Sequence, residues 1–295
     1  MRLHGAEIID TFAEAFPMWG ARIVVTAETP TWAEHAARSL TGFATSVIGC
    51  KCEAGVERVL DASDTPDGRP GVTALLFATD KDGLAKRLVE RVGQTVLTCP
   101  TTACFNGLES DTEADVGGQL RYFADGWQAS KVLGGRRFWR IPVMEGEFLV
   151  QESFGIAEGV GGGNIIILAE DVPTALRSAE AAAEAMRAVE GAIMPFPGGI
   201  ARSGSKVGSR YKAVIASTNH VLCPTLRAQV DDSQVPDGVG SVLEIVIDGL
   251  GPDPVREMMR VGLDAAARSG AMRITAGNYG GSLGDHHFHL RELLP

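Results

Sequence analysis

Apolar and polar positions along this chain run through one order of elements twice. Arg22-Ile-Val-Val-Thr-Ala27 is an apolar run of strand length, and Thr31 to Leu40 puts Trp32, Ala33, Ala36, Ala37 and Leu40 on one helical stripe. Gly42 to Ile48 predicts a returning strand. After the turn-rich stretch Thr65-Pro-Asp-Gly-Arg-Pro-Gly71, the pattern predicts a strand at 72–78, a helix at 80–92 and a strand at 94–99. The second half repeats this. Asn164 to Ala169 reads as a strand, 171–189 as an alanine-rich helix with Leu176, Ala179, Ala183 and Met186 on one face, and Gly191 to Met194 as a short strand. Gly240 to Asp248, 254–269 and 271–276 follow as strand, helix and strand.

Each half is thus βαββαβ, the ferredoxin-like arrangement of an antiparallel sheet with two helices on one face. The expected fold class is α+β, a duplication of two such lobes: residues 1–150, carrying a β-hairpin insert, and residues 151–295. The insert occupies 115–150, where turn signals at Asp125-Gly126, Gly134-Gly135 and Glu145-Gly146 separate aromatic, alternating stretches. Its Tyr122, Phe123, Trp127, Phe138 and Trp139 read as hairpin core. The sheet faces opposite the helices need a cover, supplied by the other lobe or by a second subunit, so a homo-oligomer is expected.

Composition narrows the function. A chain of 295 residues, 45% hydrophobic and 22% charged, has enough apolar surface for one or two cores. Its net charge of −10, with lysine and arginine scattered, argues against nucleic acid. Neither a long apolar segment nor the apolar core of a signal peptide is present, so the expectation is a soluble, cytoplasmic protein without a membrane contact. Five cysteines, at 50, 52, 99, 104 and 223, are an odd number and lack zinc-knuckle spacing, so neither disulfides nor a metal site is expected. His286, His287 and His289 have no completing carboxylate pattern and read as a solvated edge strand.

The stretch richest in candidate chemistry is Pro195-Phe-Pro-Gly-Gly-Ile-Ala-Arg-Ser-Gly-Ser-Lys-Val-Gly-Ser209. Gly198 and Gly199 free the backbone, while Ser203, Ser205, Ser209 and Lys206 bring hydroxyl donors and positive charge into an acidic protein. Such a loop holds an anionic or polar ligand, or serves as a solvated connector; its place at a matched point of the duplication favours the ligand. Gly199 to Lys206 nearly spells a phosphate-binding loop, but serine and lysine are transposed and no helix pattern follows. Gly159-Val-Gly-Gly-Gly-Asn164 precedes a strand instead of following one, so it is not a dinucleotide fingerprint. No G-x-S-x-G elbow occurs.

Among single residues, Glu244 stands out. It interrupts Val242-Leu-Glu-Ile-Val-Ile247, and aligning the halves at Gly71 and Gly240 sets it opposite Leu75. Partial burial would raise its pKa and suit it to general acid work or to donation to an oxyanion. A strand residue turned to solvent is the competing reading.

Several strings resemble the formylmethanofuran:tetrahydromethanopterin formyltransferase family over almost the full chain. They include Asp10-Thr-Phe-Ala-Glu-Ala-Phe16, Thr65 to Gly71, Val143-Met-Glu-Gly-Glu-Phe148, Ser153-Phe-Gly155 and Pro195 to Ile200. Ser205 to Ser209, Ala216-Ser-Thr-Asn219, Cys223-Pro-Thr225 and Ala276-Gly-Asn278 complete the set. The mild acidity is similar to the methylotroph version, the formyltransferase subunit of a formyltransferase/hydrolase complex. The resemblance implies transfer of a formyl group between N5 of a tetrahydromethanopterin-type pterin and the amine of a methanofuran-type carrier, both as substrates, with no tightly bound cofactor. It also implies a homotetramer and hydrolase-complex partners. On that chemistry Glu244 is the expected catalytic residue, and the glycine-serine loop holds carrier carboxylates. Asn164, Arg69 and Asn278, at strand ends beside glycine-rich turns, are further binding candidates. Two other readings stay open: a non-catalytic scaffold subunit, and a phosphate-ester enzyme using the glycine-serine loop.

Overall fold

The computed structural model describes residues 1–294; Pro295, the last residue of the expected second lobe, lies outside them. Each half forms one α+β unit. The first runs β1 (Phe12–Thr26), α1 (Pro30–Thr41), β2 (Glu53–Leu60), β3 (Gly71–Ala78), α2 (Lys81–Arg91) and β4 (Ala103–Asn106). β1 pairs antiparallel with β3 and β4, and β2 with β3, giving the order β2-β3-β1-β4. A hairpin array follows, β5 (Ala129–Leu133), β6 (Arg136–Val143) and β7 (Gly146–Gln151), and β7 adds in parallel to β4. The second unit is β8 (Ala157–Ala169), α3 (Val172–Met186), β9 (Ala192–Ile193), β10 (Ser241–Gly249), α4 (Pro252–Arg268) and β11 (Arg273–Thr275), in the matching order β9-β10-β8-β11.

Helix boundaries follow capping chemistry. Thr29, Asp80 and Asp171 each accept a backbone N–H of the first turn of α1, α2 and α3, and proline opens α1, α3 and α4 where a missing N–H costs nothing. The helices bury small faces. Ala179, Ala182, Ala183 and Met186 of α3 meet Met259, Leu263 and Ala266 of α4 over Ile165, Ile167, Ile245 and Ile247 of the sheet.

The two sheets are one. β1 and β8 are longer than their lobes require, and their first halves pair antiparallel, Phe16–Gly20 against Ala157–Gly161. The lobes are joined along their central strands instead of stacked face on face. The long connection between β9 and β10 covers the open face of the second lobe, where Leu222, Val235 and Val239 pack on Ile166 and Leu168.

Three expected elements differ. The strand at 42–48 is reduced to a single bridge, Thr45 with Glu53: Phe43 takes a left-handed φ of 54°, Ser46 caps a short helix Val47–Cys50, and the strand itself begins at Glu53. The strand at 94–99 is a π turn, Val92–Val96, because Val92 and Val96 stay buried against the helical core; the strand starts at Ala103. In the insert, Asp125-Gly126 ends a helical turn, Arg121–Ala124, and joins no hairpin. Tyr122, Phe123 and Trp127 are exposed, so only Phe138 and Trp139 of the aromatic set pack against the core. The histidines form the edge strand β12 (His286–His289), paired with Phe12–Ala15 at the start of β1.

Gly240 immediately precedes β10, where a β-carbon would lie 2.4 Å from the Glu170 carbonyl oxygen. Gly240→Ala is expected to cost about 1–3 kcal/mol, because backbone atoms must shift to relieve the overlap. A urea melt with an unchanged midpoint would show that the strand start yields freely.

Candidate active site

β9 pairs with β10 over only two residues, Ala192 and Ile193. Pro195 and Pro197 have no N–H to extend the ladder, so the chain leaves the sheet edge. Gly198 and Gly199 turn it at φ 67° and 87°, and the chain returns at Ala201, which exchanges two backbone hydrogen bonds with Glu244 (2.8 and 2.9 Å). Arg187 at the end of α3 donates to the Gly198 carbonyl at 2.9 Å and pins the turn. The glycine-serine loop is thus a detour of the strand bordering Glu244.

Ile245 and Ile247 point to the helices, so Glu244, Val246 and Asp248 point to the opposite face. Leu75 likewise faces away from its lobe's helices, packing with Phe77 and Met18. Glu244 stands on the wall shared by two cavities of about 710 and 1250 Å³. Ser203, Ser205, Lys206, Asn219 and Arg273 line the smaller one, along with Thr45, Ser46 and Glu53 from the first lobe. The larger one lies between the loop, α3 and residues 218–225. Burial pushes the Glu244 carboxyl up to about 7, and no hydrogen bond engages it among the described residues.

Two other carboxyl arrangements border the smaller cavity. Glu14 is buried without a cation; burial alone would raise its pKa, but four main-chain N–H groups hold it down at about 2. The donors are Tyr279 at 2.6 Å, Gly281 at 2.9 Å, Gly284 at 2.8 Å, and Leu283. Asp248, fully buried, is pushed well above the usual carboxylate range by burial and by neighbouring Glu53 of the first lobe. Its Oδ1 accepts from Gly162 N at 3.1 Å, and its buried Oδ2 has no hydrogen-bond partner among the described residues. Glu53 in turn accepts from Val47 N at 2.9 Å.

Residues 1–143 match the family model described as formylmethanofuran-tetrahydromethanopterin formyltransferase, and residues 146–293 match that of its proximal lobe. The chain belongs to this formyltransferase family. It is 57% identical to a formylmethanofuran–tetrahydromethanopterin formyltransferase of Methylococcus capsulatus, over all of both chains. It is 53% identical to one subunit of the formyltransferase/hydrolase complex of Methylorubrum extorquens, covering 99% of this chain and 97% of that one. Its fold matches the crystal structure of the Methylorubrum extorquens complex with methylofuran at a TM-score of 0.97 and 52% identity, over 100% of this chain and 99% of that one.

Among the residues singled out for this formyltransferase fold, Glu244, Ser203, Ser205, Lys206, Asn164 and Asn278 meet at the smaller cavity. The two asparagines are committed to neighbouring protein groups. Asn164 bonds Gly162 and Gly277, and Asn278 bonds Thr11 and Phe12. Gly198 borders the larger cavity, and Gly199 a third one on the far side of the turn. Two of the expected residues lie apart from this group. Ser209 lies beyond the cavities and caps a turn by accepting from Tyr211 N. Arg69 lies in the first lobe, tied to Asp67, Thr26 and the Thr101 carbonyl. Ser205 and Lys206 sit in a short hairpin, Ser205–Val207 with Ala216–Thr218, with no helix following, so the phosphate-loop reading has no structural support. Glu14, Asp248 and Tyr279 were missed. The signal for Glu14 was a lone carboxylate in the apolar run Phe12-Ala-Glu-Ala-Phe16.

A raised carboxyl pKa contributes stability that is full below the unfolded value and falls away as pH rises to the folded one. Glu244 therefore lowers stability between its ordinary value of 4.5 and about 7, and Asp248 acts in the same direction. Glu14 acts oppositely, its contribution being lost only as pH falls toward 2. In Glu244→Gln, the unfolding free energy should drop less from pH 5 to pH 8 than in the parent. Parallel curves would remove Glu244 as a source of the slope.

Proposed function

We propose that this chain moves a formyl group between N5 of a tetrahydromethanopterin-type pterin and the amine of a methanofuran-type carrier. The observation that carries the reading is the uncommitted Glu244 carboxyl, poised near neutrality on the wall shared by two cavities. Two carriers must bring an amine and a formamide to one point, and each cavity offers one of them a seat.

Attack of the amine nitrogen on the formyl carbon makes a tetrahedral species with negative charge on oxygen. That charge needs a donor, and a proton must pass from the attacking to the departing nitrogen. A glutamic acid with a pKa near 7 meets both needs, since it donates when protonated and accepts when ionised. Its half-buried setting makes the hydrogen bond to the oxyanion stronger than it would be in bulk water. Lys206, half-buried on the same cavity and free of ion pairs among the described residues, is placed for the carboxylates of the carriers. Every step uses side-chain proton transfer and hydrogen bonding, with the pterin and the furan amine as substrates.

The same reading takes residues 1–150 and 151–295 as the two lobes. It expects a cytoplasmic homo-oligomer, tetrameric by the family resemblance, working with hydrolase-complex subunits. The relative from Methylorubrum extorquens is a subunit of such a complex. No helix among the described residues is long and apolar enough to cross a membrane.

Spectrophotometric exchange between formylated pterin and furan amine tests the reading directly; no transfer in either direction would leave the scaffold alternative standing. Glu244→Gln is expected to keep the fold and lose about a hundredfold or more in turnover, because an amide donates a hydrogen bond but exchanges no proton. Wild-type turnover in a well-folded Gln variant would remove Glu244 from the chemistry. Lys206→Ala should raise KM more than it lowers kcat, the mark of binding shared by ground and transition states. If kcat and kcat/KM fell together at constant KM, the lysine would belong to the transition state instead.

A further inference from the structure

We infer that Glu14 is a positioning residue and Tyr279 a substrate-contacting residue of the transfer site: the Glu14 carboxylate fixes the turn Asn278–Gly284 so that Tyr279 stands on the same cavity wall as Glu244, its ring and hydroxyl available to a flat aromatic carrier. This rests on the formyl-transfer reading of the cavity.

The turn is held at both ends. Ahead of Tyr279, Asn278 Nδ2 donates to Thr11 Oγ1 at 3.0 Å and to the Phe12 carbonyl at 3.2 Å, while its Oδ1 accepts from Gly280 N. From Tyr279 onward, four N–H groups converge on the two oxygens of Glu14. Gly280 and Gly281, both at φ 73°, give the backbone the concave shape that lets N–H groups face one anion. A buried carboxylate with no cation beside it is stable only because these donors replace its water. The same bonds therefore keep Glu14 ionised and the turn in place.

The side chain that this rigid turn presents is left free. Tyr279 is 40% exposed, lines the cavity with Glu244, and its hydroxyl makes no hydrogen bond among the described residues. It lies near enough to Glu244 and Glu14 for their charges, after burial, to raise its pKa, so the phenol stays protonated and donates. A planar ring with a donor at its tip fits a bicyclic pterin or a furan with an adjacent carbonyl, by stacking and by one hydrogen bond. The backbone is fixed at a distance from the chemistry and the contact made by a short aromatic side chain, which loses little freedom on binding.

The test is formyl exchange by the protein in the assembly in which it is isolated, with Tyr279→Phe, Tyr279→Ala, Glu14→Gln and the double variant Glu14→Gln/Tyr279→Ala. Tyr279→Phe should lower kcat/KM about fivefold to tenfold, the worth of one neutral hydrogen bond. Tyr279→Ala should lower it further through loss of the ring. Glutamine at position 14 turns an NH₂ toward converging donors, so the turn shifts and kcat/KM should fall about tenfold or more. Because Glu14 acts through Tyr279, the double variant should be no worse than the poorer single one. Losses that multiply in the double variant would overturn the positioning role, and unchanged kcat and KM in both Tyr279 variants would overturn the contact. Should Glu14→Gln not fold, the Tyr279 pair decides alone. A parent protein that transfers nothing overturns the formyltransferase reading and this inference with it; an active parent beside equally active Tyr279 variants overturns only the inference.

Discussion

The pairing of Phe16–Gly20 with Ala157–Gly161 is the contact on which the molecule depends. Each central strand runs past its own lobe, and the overhangs satisfy one another's backbone groups, so the two sheets become one. The join demands close approach: a β-carbon on Gly161 would lie 2.0 Å from Met18 Sδ, and one on Gly20 2.6 Å from the Phe77 ring. It also brings Glu53 of the first lobe against Asp248 of the second, and Val47 and Ser46 onto the cavity of Glu244. The site is therefore made by the join of the lobes as well as by the strand that carries its acid.

Three carboxyl groups within this small region are tuned in different ways. Glu14 meets converging N–H donors, which hold its pKa low; Asp248 meets another carboxyl, which together with burial pushes its pKa up; Glu244 meets neither and is left to burial alone. Glu14 keeps its charge throughout the neutral range and so holds shape. Glu244, at about 7, changes charge in the range where chemistry runs, which follows from what its neighbours do not provide.

The repeated order of elements was legible because strands 71–78 and 241–249 and the four helices bury strongly patterned faces. What misled was local. Gly42 to Ile48 alternates like a strand, yet Ser46 offers a cap and Phe43 a left-handed turn, and these local bonds won. Val92 to Val96 is β-branched at its ends, but packing against α1 keeps it helical. Glu244 was visible because a carboxylate amid isoleucine and valine breaks a pattern. Arg69, beside a glycine-rich turn, and Ser209, a hydroxyl of the glycine-serine loop, lie off the Glu244 cavity, because glycines mark a turn but do not say where it points. Glu14 and Tyr279 lie far apart in sequence, and the pairing of β12 with β1, with the bonds of Asn278 to Thr11 and Phe12, brings them together.

The second lobe's β9 has two residues where the first lobe's β2 has eight. One copy of the duplicated unit keeps its edge closed by a full strand, and the other leaves its edge unfilled beside β10. The chain that would have closed it became residues 194–240, against residues 61–70 in the first copy. Lengthening a surface connection costs little, about 0.6 kcal/mol for each doubling. A division of labour between twins thus came at small thermodynamic cost: one edge kept for strength, its counterpart opened for chemistry. Variation in that one connection can reshape what the protein accepts while both cores stay as they are.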